Sequence, residues 1–383
     1  MSQPSKIWLS SPHMGGNELD FINEAFDNNW IAPLGPNVNG FESDLKTYLK
    51  TDKQVAALSS GTAAIHLALV QLGVTHGDEV ICQSFTFCGS INPIFYQGAK
   101  PILVDSEPQT WNICPNALEE AITSRIKKGH KPKAIIAVHL YGMPYQVDEV
   151  HAIAKQYDIP IVEDAAEALG STYKKQNCGT FGEFAALSFN GNKIITTSGG
   201  GALVSKNQAT KDKTVYFATQ ARDSAAHYEH TEIGYNYRMS NIVAGIGRGQ
   251  MQVLDKHVSL RRKMHQFYKD IFKKIEVINL LEEQNDEVFS NHWLSAITIH
   301  KKAHFTREDL RLFLLEDNIE SRPLWKPMHL QPVFKKCPYY GGTVAEDLFN
   351  RGLCLPSGSN LSDDEKSRIE TKLKSFLKQH GHI

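Results

Sequence analysis

One lysine in this chain sits in an unusual setting. In "LSFNGNKIITTSGGGALV", Leu187 to Val204, Lys193 lies between two apolar runs, with small polar residues around it and Gly199, Gly200 and Gly201 just beyond. A lone lysine is ordinarily a solvated surface charge. A phosphate loop of the G-x-x-x-x-G-K-[ST] kind is excluded, because the lysine precedes both the threonines and the glycines. The glycine run is compatible with a tight turn between strands, and a turn is compatible with a functional lysine.

Three further residue groups bear on the choice. "SSGTAA" places Ser59, Ser60, Gly61 and Thr62 at the start of a helical pattern. Helix N-terminal N–H groups with hydroxyls beside them can hold an anion. "QSFTF" puts Phe87 on a strand-to-helix loop, and "EDAAEALGS" puts Asp164 and Glu167 after the apolar run "IPIV". An acid there is partly buried and needs a partner. Each group alone has an ordinary reading: an N-cap, a core aromatic, a helix-capping acid. Together, an anion cradle, a flat aromatic, a buried carboxylate and a lysine are what pyridoxal phosphate requires. The cradle takes the phosphate and the aromatic lies against the ring. The carboxylate keeps the pyridine nitrogen protonated, and the lysine forms the Schiff base and moves protons.

The elements that must position these residues follow from periodicity. From about residue 53, strands ("QVAAL", "DEVICQ", "KPILVD", "KAIIAVHL", "IPIVED", "FAALSF", "GALVS") alternate with helical patterns ("GTAAIHLALVQLG", "CGSINPIFYQG", "PNALEEAI", "QVDEVHAIAKQYD"). That order predicts an α/β fold with a mostly parallel sheet covered by helices on both faces. Ligands of such sheets bind at the carboxyl ends of the strands, where all four groups fall. Beyond about residue 239 the pattern becomes one long helical stretch, "SNIVAGIGRGQMQVLDKHVSLRRKMHQFYKDIF". The strand "HWLSAITI" and the helices "REDLRLFLLED" and "DDEKSRIETKLKSFLKQ" follow. We expect a large domain over residues 1–250, including N-terminal helices, and a smaller α+β domain over residues 251–383. The first fifty residues are expected to pack on the smaller domain or on a partner.

Composition narrows the function classes. The 383 residues carry a formal net charge of −1, so charge gives no footprint for nucleic acid or an anionic membrane. The six cysteines are scattered without a C-x-x-C pair, which argues against a metal site or disulfide framework and fits a reducing cytoplasm. No signal peptide or membrane span is expected.

The chain resembles the sugar-nucleotide aminotransferases of the DegT/DnrJ/EryC1/StrS family, fold type I of the pyridoxal phosphate enzymes. The matching pieces run from "SSGTAAIHLAL" through "GDEVICQSFTF", "VHLYG", "EDAAEALGS" and "SFNGNKIITTSGGG" to "GYNYRMSNIVAGIG". Within the family it is most similar to the C4 aminotransferases of bacillosamine biosynthesis, on "SPHMGGNELDFI", "NNWIAPLG", "SRPLWKPMHLQPVF" and "CLPSG". The resemblance implies Lys193 as the Schiff-base lysine and Asp164 as the acid facing the pyridine nitrogen. It implies Gly61, Thr62 and Ser188 as phosphate contacts and Phe87 as the stacking aromatic. Glu167 stands where the family often has Gln or His, near the phenolic oxygen, and a carboxylate there needs a shared proton. Asn236, in "GYNYR", matches an asparagine that reaches the phosphate from a second subunit, which implies a homodimer with shared sites. Asn29, Trp30, Ile31 and Ala32, and Trp325, Lys326, Met328 and His329, match loops that line the nucleotide-sugar pocket.

The implied reaction moves the amino group of L-glutamate to C4 of UDP-2-acetamido-4-keto-2,6-dideoxyglucose, with a GDP- or dTDP-linked 4-keto sugar as the alternative. Family members that dehydrate C3 carry His in place of the lysine, and Lys193 argues against that chemistry. A non-catalytic regulator would be expected to carry a basic helix-turn-helix extension, which the sequence lacks. An NAD-dependent epimerase would need G-x-G-x-x-G after the first strand.

Overall fold

In a computed structural model describing residues 4–383, the strand segments assemble into one eight-stranded sheet. Its order runs Gln54–Leu58, Gly201–Ser205, Phe184–Ser188, Ile161–Asp164, Ala134–Val138, Glu79–Gln83, Lys100–Val104 and Tyr339–Tyr340. Neighbours pair in parallel except at Gly201–Ser205, which runs antiparallel to both of its neighbours. The sheet is therefore mostly parallel, as expected, and the exception has a local cause. Phe184–Ser188 returns directly as Gly201–Ser205 with no helix between them, so the pair must be antiparallel. Lys193 lies in the connecting loop.

That reversal positions the site. The register sets Gly201 opposite both Leu58 and Ser188. The start of the antiparallel strand thus lies at the carboxyl end of the parallel ones. Three chain segments distant in sequence, those after Leu58, Ser188 and Asp164, open on one edge of the sheet. The helix Gly61–Gln71 is buried over most of its length and has little amphipathic character, as a helix enclosed on several sides must. Val80, Cys82, Val162, Ala186 and Leu203 pack in the same cluster as its Ile65, Leu67 and Leu69.

Three segments depart from the sequence reading. The helix expected over "CGSINPIFYQG" is a short 3-10 turn, Cys88–Ser90, followed by Asn92–Tyr96. The long helical stretch breaks into Asn241–Met251 and Leu254–Phe272 at Val253, whose ψ of 5° leaves the helical region. The helix Pro36–Leu49 packs on the large sheet rather than on the C-terminal part. Its Val38, Phe41 and Leu45 share a cluster with Val55, Ala57 and Val204. Ile7, by contrast, does join the C-terminal cluster, beside Ile319.

The C-terminal part carries a four-stranded antiparallel sheet, Ile278–Leu280, Ser295–Ile299, Gly352–Leu355 and Arg322–Pro323, backed by Arg307–Glu316 and Asp363–Gln379. Both helices start on capping boxes, with Thr306 and Ser362 at the N-caps. Among the described residues, no helix is long and apolar enough to cross a membrane.

Candidate active site

The loop between Ser188 and Gly201 is tightly made. Phe189 N–H donates to the Gly200 carbonyl, Thr197 N–H to the Phe189 carbonyl, and Lys193 N–H to the Asn190 carbonyl. Thr196 N–H donates to Gln250 Oε1 of the helix Asn241–Met251. These bonds turn the Lys193 side chain into a cavity of about 320 Å³ at the carboxyl edge of the sheet. Ser59–Thr62, Thr86, Phe87, Asp164, Glu167, Ser188, Lys193, Trp293 and Trp325 are among the residues that line it.

The anion cradle is built by close approach. Ser60 caps the helix, its Oγ accepting from Ala63 N–H at 3.0 Å. The first-turn N–H groups of Gly61 and Thr62 have no helical carbonyl ahead of them and are available to a ligand. A Cβ on Gly201 would lie 2.2 Å from Ser60 C and 2.3 Å from Gly61 N. Only glycine lets the antiparallel strand start directly beneath this helix N-terminus. A Cβ on Gly61 would meet Ser188 Cβ at 3.1 Å, which brings Ser188 to the same place. Backbone N–H groups, a threonine hydroxyl and a serine hydroxyl converge as a phosphate requires.

Asp164 ends its strand 6% exposed. Its Oδ2 accepts from Ser90 Oγ at 2.6 Å and its Oδ1 from Ala166 N–H at 3.1 Å. Ser90 is in turn bonded to Thr86 Oγ1 at 2.8 Å. The neighbouring acid, Glu163, points to the opposite face of the sheet, as strand alternation demands. It is spent there on His139 and on the N–H groups of Gly179, Phe181 and Gly182. Two adjacent acids therefore have separate fates, one structural and one facing the cavity.

Glu167 and Lys193 meet, with Oε1 to Nζ at 3.4 Å. Glu167 Oε2 accepts the N–H of Tyr141 at 2.6 Å. Burial pushes the Glu167 carboxyl above its ordinary value, and Lys193 and the Tyr141 N–H only partly offset it. Phe87 stands at the mouth, about half exposed, with its ring centroid 5.9 Å from that of Trp325. Trp325 lies against Tyr141 at 5.9 Å, and its N–H donates to Tyr141 Oη at 2.9 Å. Its indole Nε1 is buried without a partner.

Several expected residues lie elsewhere. Met328 is buried in the core cluster containing Phe334, and its N–H donates to the Ser84 carbonyl. His329 is bonded through Nδ1 to Ser84 Oγ (2.7 Å) and through Nε2 to Glu346 (3.1 Å), and it stacks on Tyr339 at 3.9 Å. The 3-10 turn Met328–Leu330 tucks both side chains inward, so they support the Trp325 loop rather than line the cavity. Lys326 is exposed and outside the lining. Asn29–Ala32 are outside it too; the Trp30 and Ala32 carbonyls are held by Asn241 at 2.8 and 2.9 Å, while Trp30 and Ile31 face solvent. Asn236 bridges to Thr219 and does not line the cavity of its own chain.

Trp293 was read from sequence only as the start of a strand, yet its buried indole lies under Lys193, with Nζ 4.1 Å from the ring centroid. No local motif announces it, because it comes from the C-terminal part of the chain. Asn190, Asn192, Gly199 and Gly200 also line the cavity. Their place in the lysine loop was the available signal.

The model of the DegT/DnrJ/EryC1/StrS aminotransferase family matches residues 12–374. EpsN of Bacillus subtilis (strain 168), named as an inferred pyridoxal phosphate-dependent aminotransferase, is 50% identical over 368 residues, covering 95% of this chain and 94% of its own. The GDP-perosamine synthase of Escherichia coli O157:H7 is 37% identical over 370 residues, covering 97% and 98%. The crystal structure of a DegT DnrJ EryC1 StrS aminotransferase from Brucella abortus superposes with a TM-score of 0.87 at 29% identity, covering 95% and 96%. The chain belongs to the DegT/DnrJ/EryC1/StrS family and is a pyridoxal phosphate-dependent sugar aminotransferase.

Proposed function

We propose that the enzyme transfers the amino group of L-glutamate to C4 of UDP-2-acetamido-4-keto-2,6-dideoxyglucose. The products are 2-oxoglutarate and UDP-4-amino-4,6-dideoxy-N-acetylglucosamine, a precursor for bacillosamine or related glycans. The carrying observation is the convergence of Lys193, Asp164 and the open N-terminus of the helix Gly61–Gln71 on one cavity. The similarity to EpsN along nearly the whole chain supports a pyridoxal phosphate-dependent aminotransferase, and the bacillosamine-type substrate rests on the resemblance of "SPHMGGNELDFI", "NNWIAPLG", "SRPLWKPMHLQPVF" and "CLPSG".

The residues present fit the cofactor. Gly61, Thr62 and Ser188 would hold its phosphate, Phe87 would flank the ring, and Asp164 would face the pyridine nitrogen. When bound, pyridoxal phosphate supplies an electron sink for the carbon that loses a proton. Lys193 attaches the cofactor at rest. As a free amine its Nζ would take the α-proton of glutamate, and it would return a proton in the reverse sense for the sugar. Glu167 would stand at the edge of the site, beside the phenolic oxygen, with its carboxyl raised by burial. Trp325 would pack beside Phe87 at the mouth, their ring centroids 5.9 Å apart. Asn236 would complete the phosphate site of a partner subunit. Exposed Trp30, Ile31, Leu34 and Ile233 supply apolar surface for such a homodimer.

A GDP-linked 4-keto-6-deoxy sugar is the second reading, favoured by the 37% identity to a GDP-perosamine synthase. Transfer from glutamate to UDP-, GDP- and dTDP-linked 4-keto sugars, compared by kcat/KM, separates the two. A preference for the GDP sugar overturns the first.

A further inference from the structure

Lys193 must be released and re-engaged in each turnover, so something must hold its amine while it is free. Two groups face Nζ: the Glu167 carboxyl at 3.4 Å and the face of Trp293 at 4.1 Å. The Lys193 side chain is nearly buried. In so dry a place, a cation over an indole face is attracted more strongly than at a surface.

Trp293 is held by hydrogen bonds that reach the lysine loop and the Glu167 loop. Its Nε1 donates to the carbonyl of Asn192, the residue preceding Lys193, at 2.7 Å. Its N–H donates to Asn291 Oδ1 at 2.8 Å, and Asn291 Nδ2 donates to the carbonyls of Glu167 and Leu169, both at 2.9 Å. Its carbonyl accepts from Arg261 at 2.9 Å. Arg261 is wholly buried and bonds onward to Ser10 Oγ, which itself donates to the Asn192 carbonyl at 2.7 Å. Burial without a carboxylate partner pushes the Arg261 guanidinium down to about 9. A buried arginine is costly, and here it is used to fix two backbone carbonyls. The turn that presents the indole passes through His292 at φ +46°, a left-handed conformation that must be held by its surroundings. The segment Asn291–Trp293 thus ties the lysine loop to the Glu167 loop, and it is supplied by the C-terminal part of the chain.

We propose that Trp293 is a positioning residue for Lys193: its indole face receives the ammonium formed when the amine takes a proton, and holds it within reach of the reacting carbons. This rests on Lys193 being the proton-transferring lysine. The π face attracts the ammonium and gives the neutral amine no comparable hold, leaving it the bond to Glu167 Oε1 at 3.4 Å.

The test uses the cofactor-free protein, with Trp293→Phe and Trp293→Leu compared. Both lose the bond from Nε1 to Asn192, and only Phe keeps a π face. Labelling of Lys193 by trinitrobenzenesulfonate, which attacks neutral amine, is followed on the Lys193 peptide at fixed pH. The expected rate is about three- to tenfold higher in Leu than in wild type, with Phe between them. In the loaded enzyme, kcat for amino transfer falls in the same order while KM for glutamate and sugar is unchanged. Equal rates in Phe and Leu, or a wild-type rate in Leu, overturn the proposal. If Leu does not fold, indole emission of wild type and Lys193→Met is compared across pH. A pH-dependent component missing from Lys193→Met is expected, and its absence from wild type overturns the proposal. Amino transfer surviving in Lys193→Ala would instead sink the assignment of Lys193, which the labelling experiment does not presuppose.

Discussion

Gly199 and Gly201 stand two residues apart in the same glycine run, and the structure assigns them different roles. A Cβ on Gly201 would fall 2.2–2.5 Å from backbone atoms of Ser60 and Gly61, whereas a Cβ on Gly199 meets nothing within 4 Å. Backbone cannot swing aside as a side chain can. To restore ordinary contact, Gly201→Ala must part the strand from the helix N-terminus by about 1 Å. Strand pairing of Gly201 with Leu58 and Ser188 resists movement on the strand side, so the displacement falls on Ser60 and Gly61. Overpacking of this kind costs about 1–3 kcal/mol. It also misaims N–H groups whose bonds to a charged ligand are worth about 1.5–3 kcal/mol each. Losing one such bond weakens cofactor binding by about ten- to a hundredfold. Titration of the cofactor-free protein with pyridoxal phosphate, followed by visible absorbance, should show that loss for Gly201→Ala. Gly199→Ala, whose added methyl meets no protein atom although Gly199 lines the cavity, should lose less affinity than Gly201→Ala. Circular dichroism would establish that both variants fold. Equal affinity in the two variants would refute the close-approach account of the cradle.

Lys193→Ala should fold and still bind cofactor, yet lose amino transfer by several orders of magnitude, because one side chain both attaches the cofactor and moves the proton. Borohydride treatment of the wild type should fix the cofactor on Lys193, and label on another lysine would refute the assignment. Asp164→Asn should lower kcat by about a hundredfold or more with sugar KM little changed; an unchanged kcat would leave Asp164 only its bonds to Ser90 and Ala166. Burial raises the folded Glu167 carboxyl above its ordinary 4.5, so the stability it contributes is full below that value and is lost as pH rises through the folded one. In the cofactor-free state, the Tm of Glu167→Gln relative to wild type should therefore climb with pH across that window, and a flat difference would show that Glu167 carries no raised proton affinity. Mixed dimers of Lys193→Ala with Asn236→Ala should exceed both parents in activity, because both lesions then fall in one site; no gain, with subunit exchange confirmed, would refute the shared site.

The legible part of this protein was the part written in local pattern. Alternating apolar runs gave the α/β class, and Lys193, Asp164, Ser60 and Gly61 stood out because each follows a strand, where the topology opens its ligand edge. What periodicity could not show was direction. "FAALSF" and "GALVS" read alike as buried strands, and only the missing helix between them forces the reversal that sets Gly201 under the helix N-terminus. Met328 and His329 fall outside the cavity lining for a related reason. Their loop does reach the site through Trp325, but a 3-10 turn immediately after it rotates the next side chains into the core, and three residues carry too little periodicity to announce that.

Trp293 marks the other limit. It sits at the head of an apolar strand, where a tryptophan reads as core, and it is indeed buried. Its position against Lys193 depends on the left-handed His292 and on Asn291, Arg261 and Ser10, four residues from three separate segments. A side chain can be ordinary in its own neighbourhood and specific only in the company that folding assembles. The lysine loop, the acid loop and the C-terminal part therefore meet at a single indole ring, and a substitution there acts on all three at once.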